Sequence, residues 1–406
     1  MHLWDREELW RWSVLLFIGT VIVYTARSAL PVVSVLVQED FGWDHNVLGK
    51  VMGSFSYGYM MSQIAGGFLA DRFGGALVLA YCGFVWSALT VLTPTIVRLS
   101  NSPAGAMMIV RTMLGVSQGL HYPSFTSLIG EKVQAGERSF PYSFIASGGQ
   151  VGLLLVGSIG SWIARSYKWD YLFTAIGVSG FFWSLYIYRL NGQYSAGAIK
   201  RTRSLENPNP VRPNLCKKAV FAMMLAHLVS NNTFFILFNW LPAFFHTHWP
   251  EAPASIYASA PWSLSLFGCL GSGYLSDMLG KKYNMTFARK FSCSICLGIS
   301  AFFLYCLSNT SSFYAAIFNS CMACTASAFG SGSILINPSD LYPEASGFLF
   351  GIMNTIGAIP GFLGVQAVGY GLHHGYEWPQ ILRMIGLLNI LGNVVYVAFG
   401  SASRLV

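Results

Sequence analysis

The chain has 406 residues, 54% of them hydrophobic and only 10% charged, with a mean hydropathy of +0.51. A soluble domain of this size needs about 25% charged residues to cover its surface, so the composition excludes one and places the chain in lipid. The 24 Lys and Arg against 16 Asp and Glu give a net charge of +8, but the cations sit in short loops between apolar runs. That is a positive-inside distribution, and it argues against nucleic acid as a partner.

Residues 1–12 are short and charged. The first apolar run, 13–37, is too long for a signal-peptide core and lacks a small-residue cleavage site, so it reads as a retained membrane helix. Runs long enough to span a bilayer follow at 47–70, 75–97, 104–129, 141–165 and 170–188. Further runs lie at 218–246, 256–276, 288–308, 312–335, 346–370 and 378–400. The expected fold is therefore an all-α integral membrane protein of twelve transmembrane helices in two six-helix halves, 1–188 and 218–406. A cytosolic linker over 189–217, broken by Pro208, Pro210 and Pro213, joins them.

The halves share a motif. Gly67-Phe68-Leu69-Ala70-Asp71-Arg72-Phe73-Gly74-Gly75 has a degenerate twin in Gly273-Tyr274-Leu275-Ser276-Asp277-Met278-Leu279-Gly280-Lys281. The two aspartates are 277 − 71 = 206 residues apart, close to half the chain. A repeat of that length in an apolar chain marks a transporter built from two similar halves. The pattern resembles the loop signature between helices two and three of the major facilitator superfamily, with Gly67, Asp71, Arg72, Gly74 and Asp277 as its gating residues.

Loop charges set the orientation. Arg189, Lys200, Arg201, Arg203, Arg212, Lys217 and Lys218 face a single acid, Glu206, in the central stretch. Asp71-Arg72, Lys132, Arg138, Lys281, Lys282, Arg289 and Lys290 fall on the same side, whereas the first opposite loop carries Glu39, Asp40 and Asp44. Both termini are expected in the cytosol. The sequon Asn309-Thr310-Ser311 then faces the lumen or exterior, while Asn231-Asn232-Thr233 lies within a helix and is expected to be silent. The eight cysteines form no metal or disulfide framework: the pairs Cys293/Cys296 and Cys321/Cys324 lie in apolar helices without a His or carboxylate to complete a site.

Charges inside membrane helices are costly and mark function by default. Arg27 lies about 21 Å into a helix entering from the cytosol, and Arg111 about 10 Å into one entering from the other side, so both reach one level in the outer half of the membrane. With no carboxylate at that depth in these helices, they form an unmatched positive site suited to a multivalent anion. The alternative is that they snorkel to the interface or bond to helix carbonyls. Gln118 lies two turns below Arg111 on the same face. Gln63, Gln150, Asn231, Asn232, Asn337 and Asn354 each read first as contacts between helices, Phe55, Tyr57 and Tyr59 as packing, and Arg383 as an interface anchor. His121 is expected to be a hydrogen-bonded packing residue, and His246, His248, His373 and His374 to be solvated.

Tyr24-Thr25-Ala26-Arg27-Ser28, Asp40-Phe41-Gly42-Trp43, Gly53-Ser54-Phe55-Ser56-Tyr57-Gly58-Tyr59 and Arg111-Thr112-Met113-Leu114-Gly115 resemble the organic-anion transporter family of vesicular glutamate transporters and sialin. Gln118-Gly119, Tyr122-Pro123, Trp240-Leu241-Pro242, Gly347-Phe348-Leu349-Phe350-Gly351 and Asn354-Thr355 are similar to its nucleotide-carrying vesicular branch. The resemblance implies that Arg27 and Arg111 bind substrate, with Gln118, Tyr122, Asn231, Asn232 and Asn354 as further candidate contacts. Where the glutamate carriers have a proton-linked glutamate, a histidine in helix two and an arginine in helix seven, this chain has Gln118, Met52 and Ser230. The resemblance therefore implies a potential-driven carrier of ATP and related nucleotides into secretory or lysosome-related vesicles. Another organic or inorganic anion, such as phosphate, glutamate or sialate, is the alternative. No catalytic motif points to an enzyme. No cofactor and a monomeric state are expected; chloride activation is a property of that family that these residues do not reveal.

Overall fold

A computed structural model describes residues 3–43, 45–198, 213–252, 254–361 and 363–405. Its helices, in chain order, are α1 (Arg6–Phe41), α2 (His45–Phe73), α3 (Gly75–Leu99), α4 (Pro103–Gln118), α5 (His121–Lys132) and α6 (Ser139–Leu155). Next come α7 (Ser161–Ser166), α8 (Trp169–Ala198), α9 (Lys218–His248), α10 (Ala254–Lys282), α11 (Met285–Cys293) and α12 (Ser300–Ser308). The last are α13 (Phe313–Ser327), α14 (Asn337–Leu341), α15 (Ser346–Ala358), α16 (Leu363–His373) and α17 (Trp378–Phe399). Among the described residues there is no strand.

Local chemistry explains the ends. Asp5 and Glu8 close a reciprocal capping box at the start of α1, the Glu8 amide donating to Asp5 Oδ1 at 2.8 Å. Gly42, in the left-handed region at φ 64°, stops that helix. Pro103 opens α4, where a missing N–H costs nothing. A π-helical stretch, Val156–Gly160, carries α6 into α7, and another, Ser294–Ile299, carries α11 into α12.

Among the described residues, eight helical stretches are long and apolar enough to cross a membrane, including residues 6–34, 75–99, 139–164 and 285–308. The expected spans 47–70, 104–129, 256–276 and 312–335 fall short of that mark. Two of these are α2 and the α4–α5 pair, which carry Gln63, Arg111, Gln118 and His121. The turn at Gly119-Leu120 leaves α4 and α5 at 16 and 12 residues, too short to qualify, while Gln63 and its polar neighbours lower the hydropathy of α2.

Contacts group the chain into two compact units. One comprises residues 1–133, 148–212 and 343–352; the other comprises 134–147, 213–342 and 353–406. Each unit thus includes a short stretch from the opposite half of the sequence. In the first unit α3 packs on α8 and α2 on α4. Arg98 ties the ends of three helices there, pairing with Asp40 at 2.7 Å and Asp170 at 3.1 Å. In the second unit Phe244, Phe245, Tyr257, Leu304 and Trp378 form an apolar core.

Three expectations change. Helix α8 continues to Ala198, ten residues into the stretch read as linker, and residues 199–212 of that stretch lie outside those described. The apolar run 104–129 is not one helix but turns at Gly119-Leu120 between α4 and α5. The signature is not a loop: Asp71 and Arg72 end α2, and Asp277 lies within α10.

Candidate anion site

Arg27 projects from α1 into a cage of rings. Its guanidinium carbon lies 5.0 Å from the ring centre of Tyr24, 4.9 Å from Phe55 and 4.2 Å from Tyr59, and Tyr59 also hydrogen-bonds to it. Tyr24 is one turn before Arg27 on α1, and Phe55 and Tyr59 are one turn apart on α2, so helical spacing alone brings each pair to one face. Arg111, only 3% exposed on α4, sits 5.0 Å from the Phe55 ring centre and donates from Nη1 to the carbonyl of Arg27 at 3.2 Å. Phe55 and Tyr59, read from sequence as packing, therefore line the charge, while Tyr57 is 67% exposed and turned away.

These contacts leave the site underfilled. Nε and Nη2 of Arg27 and Nε of Arg111 are buried and have no hydrogen-bond partner among the described residues. A cation on an aromatic face gains about 0.5–2 kcal/mol, far less than the several kcal/mol it costs to take a charge out of water. Two buried cations with spare donors, and no carboxylate partner among the described residues, have the chemistry that suits an anion.

Tyr122 joins the cage through a 3.1 Å contact between its hydroxyl and that of Tyr24, and its ring stacks on Phe350. His121 beside it is wholly buried, its Nε2 lying 3.0 Å from Thr20 Oγ1. The Thr20 hydroxyl gives its hydrogen to the Leu16 carbonyl, so it accepts from His121, which fixes the Nε2–H tautomer and a packing role. Gln118 is 1% exposed, and neither end of its amide is bonded among the described residues.

The second unit holds Asn231, Asn232 and Asn354. Asn231 Nδ2 donates to the Gly357 carbonyl at 2.9 Å and lies 3.1 Å from His227 Nε2, which is itself 3.2 Å from Asn354 Oδ1. His227 escaped the sequence reading. Its signal was present, four residues before Asn231 within one apolar run. Asn232 is half-buried against Gly364, outside this bonded group.

The signature residues build a clasp. Asp71 accepts from the amides of Gly347 at 3.1 Å and Phe348 at 2.7 Å, at the N-terminus of α15. Asp277 does the same for Ser139 at 3.1 Å and Phe140 at 2.8 Å, at the N-terminus of α6. Each carboxylate meets the positive end of a helix dipole and fills orphan donors there. Burial pushes the Asp71 carboxyl up to about 6, against the opposing bonds from Ser127, Phe348 and Gly347, and burial also raises that of Asp277. Gly67 is required because a Cβ there would strike the Gly347 carbonyl, and Gly74 because its φ is 95°. Arg72 takes no part: it is exposed and lies over Phe68 and Phe73.

One loop assignment is corrected. Arg289, counted among the loop cations, is 0% exposed and pairs with Asp340 at 2.7 Å, also donating to Ser139, Ser276 and Gly332. His248 is exposed, as expected, while its ring packs on Phe244 and Trp249. His246 is exposed, His374 stacks on Tyr370, and the side chain of His373 lies outside those described.

A duplicated helical membrane protein with a polar site inside its helices has the architecture of a secondary transporter. The profile of the Major Facilitator Superfamily matches residues 16–365, and the chain belongs to that superfamily. It is 34% identical over 409 residues to the voltage-gated purine nucleotide uniporter SLC17A9 of Homo sapiens, an alignment covering 99% of this chain and 94% of that one. It is 27% identical to a probable chloroplastic anion transporter, number 4, of Oryza sativa subsp. japonica, covering 99% of this chain and 70% of the relative. In fold it is similar to the proton:xylose symporter XylE (TM-score 0.76, 15% identity, 98% of each chain). It is also similar to FucP in its outward conformation (TM-score 0.70, 11% identity, 94% of this chain and 97% of that).

Proposed function

We propose that the protein carries purine nucleotides across a vesicle membrane, driven by the membrane potential. The observation that carries this reading is the pair Arg27 and Arg111, buried with donors left over. Planar guanidinium forks match phosphate oxygens two at a time. Full-length likeness to a purine nucleotide uniporter supports the choice of anion. In the first unit Arg27 and Arg111 hold the phosphates, with Gln118 and Tyr122 as neighbouring candidates; Asn231, Asn232 and Asn354, in the second unit, are candidate contacts on the strength of the resemblance alone. The Asp71 and Asp277 clasps hold helix ends and act in gating. The termini are cytosolic, the protein works as a monomer without a cofactor, and chloride is an activator to be tested.

Energetics favour the potential as driving force. Moving a charge of about −4 into a lumen positive by about 100 mV releases roughly 9 kcal/mol, at about 2.3 kcal/mol per charge. Gln118 cannot ionise, so no proton is exchanged at that position. The test is uptake of ATP by purified protein in liposomes under an imposed inside-positive potential. Uptake should survive nigericin and vanish when the potential is collapsed. Loss under nigericin with the potential kept would refute potential coupling.

The second reading is a carrier of another anion. The spare guanidinium donors fit any multivalent anion, and the rice relative is named only as an anion transporter. Competition by phosphate, glutamate and sialate in the same liposomes separates the two.

A further inference from the structure

Two glutamines near the cage have no side-chain partner among the described residues. Gln63 is 0% exposed and Gln118 1% exposed, and all four of their amide polar atoms are unbonded among the described residues. Leaving such a group buried and unmet costs about 1–3 kcal/mol each, so these positions carry a strain that packing alone does not explain. Their placement is not random. Gln63 lies one turn from Tyr59 on α2, and Gln118 one turn from Tyr122 across the near-helical α4–α5 junction. Tyr59 touches Arg27 and Tyr122 touches Tyr24, so each idle amide neighbours a ring of the arginine cage.

We infer that Gln63 and Gln118 recognise the purine base of the transported nucleotide. The inference rests on the nucleotide reading above and deepens it. A carboxamide offers a donor beside an acceptor, which is the complement of a base edge. On adenine, N7 accepts next to the donating N6 amine, and guanine keeps the N7 acceptor. Cytosine offers a similar pair at N3 and N4, but its single ring ends nearer the ribose, so an amide placed for the N7 edge of a purine lies beyond its reach. Phosphate would use only the donors, and those stand ready on the arginines. Ribose hydroxyls are common to all nucleotides and give no choice between bases. Two carboxamides a helix apart thus supply the element of the site that distinguishes one nucleotide from another.

The experiment measures initial uptake of ATP, GTP, UTP and CTP, with tripolyphosphate as base-free competitor, in proteoliposomes of wild type, Gln63→Leu and Gln118→Leu. Wild type should prefer purines by about five-fold or more, the lower end for a paired amide–base contact. Each leucine variant should bring the purine-to-pyrimidine ratio toward one. An unchanged ratio in transporting variants would overturn the inference, the amides then being met by water. Should the leucine variants fail to fold, thermal stabilisation of Gln63→Asn and Gln118→Asn decides: the same excess of ATP over UTP as in wild type overturns it, and a smaller excess upholds it. Tripolyphosphate separates the two levels. If it competes but wild type shows no base preference, only this inference falls. If neither it nor any nucleotide acts on wild type, the nucleotide reading falls too.

Discussion

Arg111 donates a hydrogen bond to the main-chain carbonyl of Arg27, and both guanidinium groups rest on one ring, that of Phe55. The two charges can therefore be no farther apart than their two distances to that ring combined. At about 10 Å and an effective dielectric of about 20, their repulsion is roughly 2 kcal/mol. An anion placed between them cancels that repulsion and fills the spare donors together, so binding gains twice from one event.

Arg27→Ala and Arg111→Ala should each lower initial uptake about ten-fold or more, the usual worth of a hydrogen bond to a charged group. Arg111→Lys should rescue poorly, because an ammonium keeps the charge and loses the fork. Near-normal uptake by the lysine variant at matched protein level would show that Arg111 only anchors its helix.

Phe55→Leu removes the surface that both cations share. With each cation–ring contact worth about 0.5–2 kcal/mol, the purified protein should unfold at a lower temperature. Phe55→Trp should restore most of the loss, since indole is the better partner for a cation. Equal midpoints for wild type and Phe55→Leu would remove the ring from the account.

How much of this the sequence discloses depends on the kind of signal. Apolar run length placed α3, α9 and α17 within a few residues, because a span of lipid demands it. The depth argument paired Arg27 with Arg111. It missed the rings, since a Phe on a helix reads as packing until its neighbours are known. Arg289 read as a loop charge because positive-inside counting registers only sequence position, and its partner Asp340 is 51 residues away. The clasp was legible as a motif but not as a contact, because Phe348 is 277 residues from Asp71.

Asp71 gives a pH dependence with a definite sign. Its carboxyl is raised by burial from 3.8 to about 6, so between these values the folded protein holds a proton that the unfolded chain has released. Stability falls with rising pH wherever the native state binds more protons. The cost of the buried charge is absent below about 4 and complete above about 6. Melting midpoints of wild type and Asp71→Asn, subtracted at each pH, cancel the other groups. The advantage of wild type should shrink as pH rises from 4 to 7. A difference that stays flat or grows would contradict the burial argument.

Arg289→Ala strands the Asp340 charge in a dry interior and should cost about 3–5 kcal/mol, enough to abolish a monodisperse peak in size-exclusion chromatography. Asp340→Ala should fail similarly. The double change Arg289→Met with Asp340→Leu leaves no lone charge and should be recovered in better yield than either single variant. Equal yields of single and double variants would show that the pair is not coupled.

The exchanged stretches also set a timetable for synthesis. Asp71 emerges 276 residues before Gly347, its partner in the clasp. At about 5–20 residues per second, the ribosome needs roughly 14–55 s to supply that partner. For that interval Asp71 has neither amide of its clasp, and residues 343–352 of the first unit are still unmade. A chain terminated before residue 343 never acquires the Gly347 and Phe348 amides that Asp71 bonds.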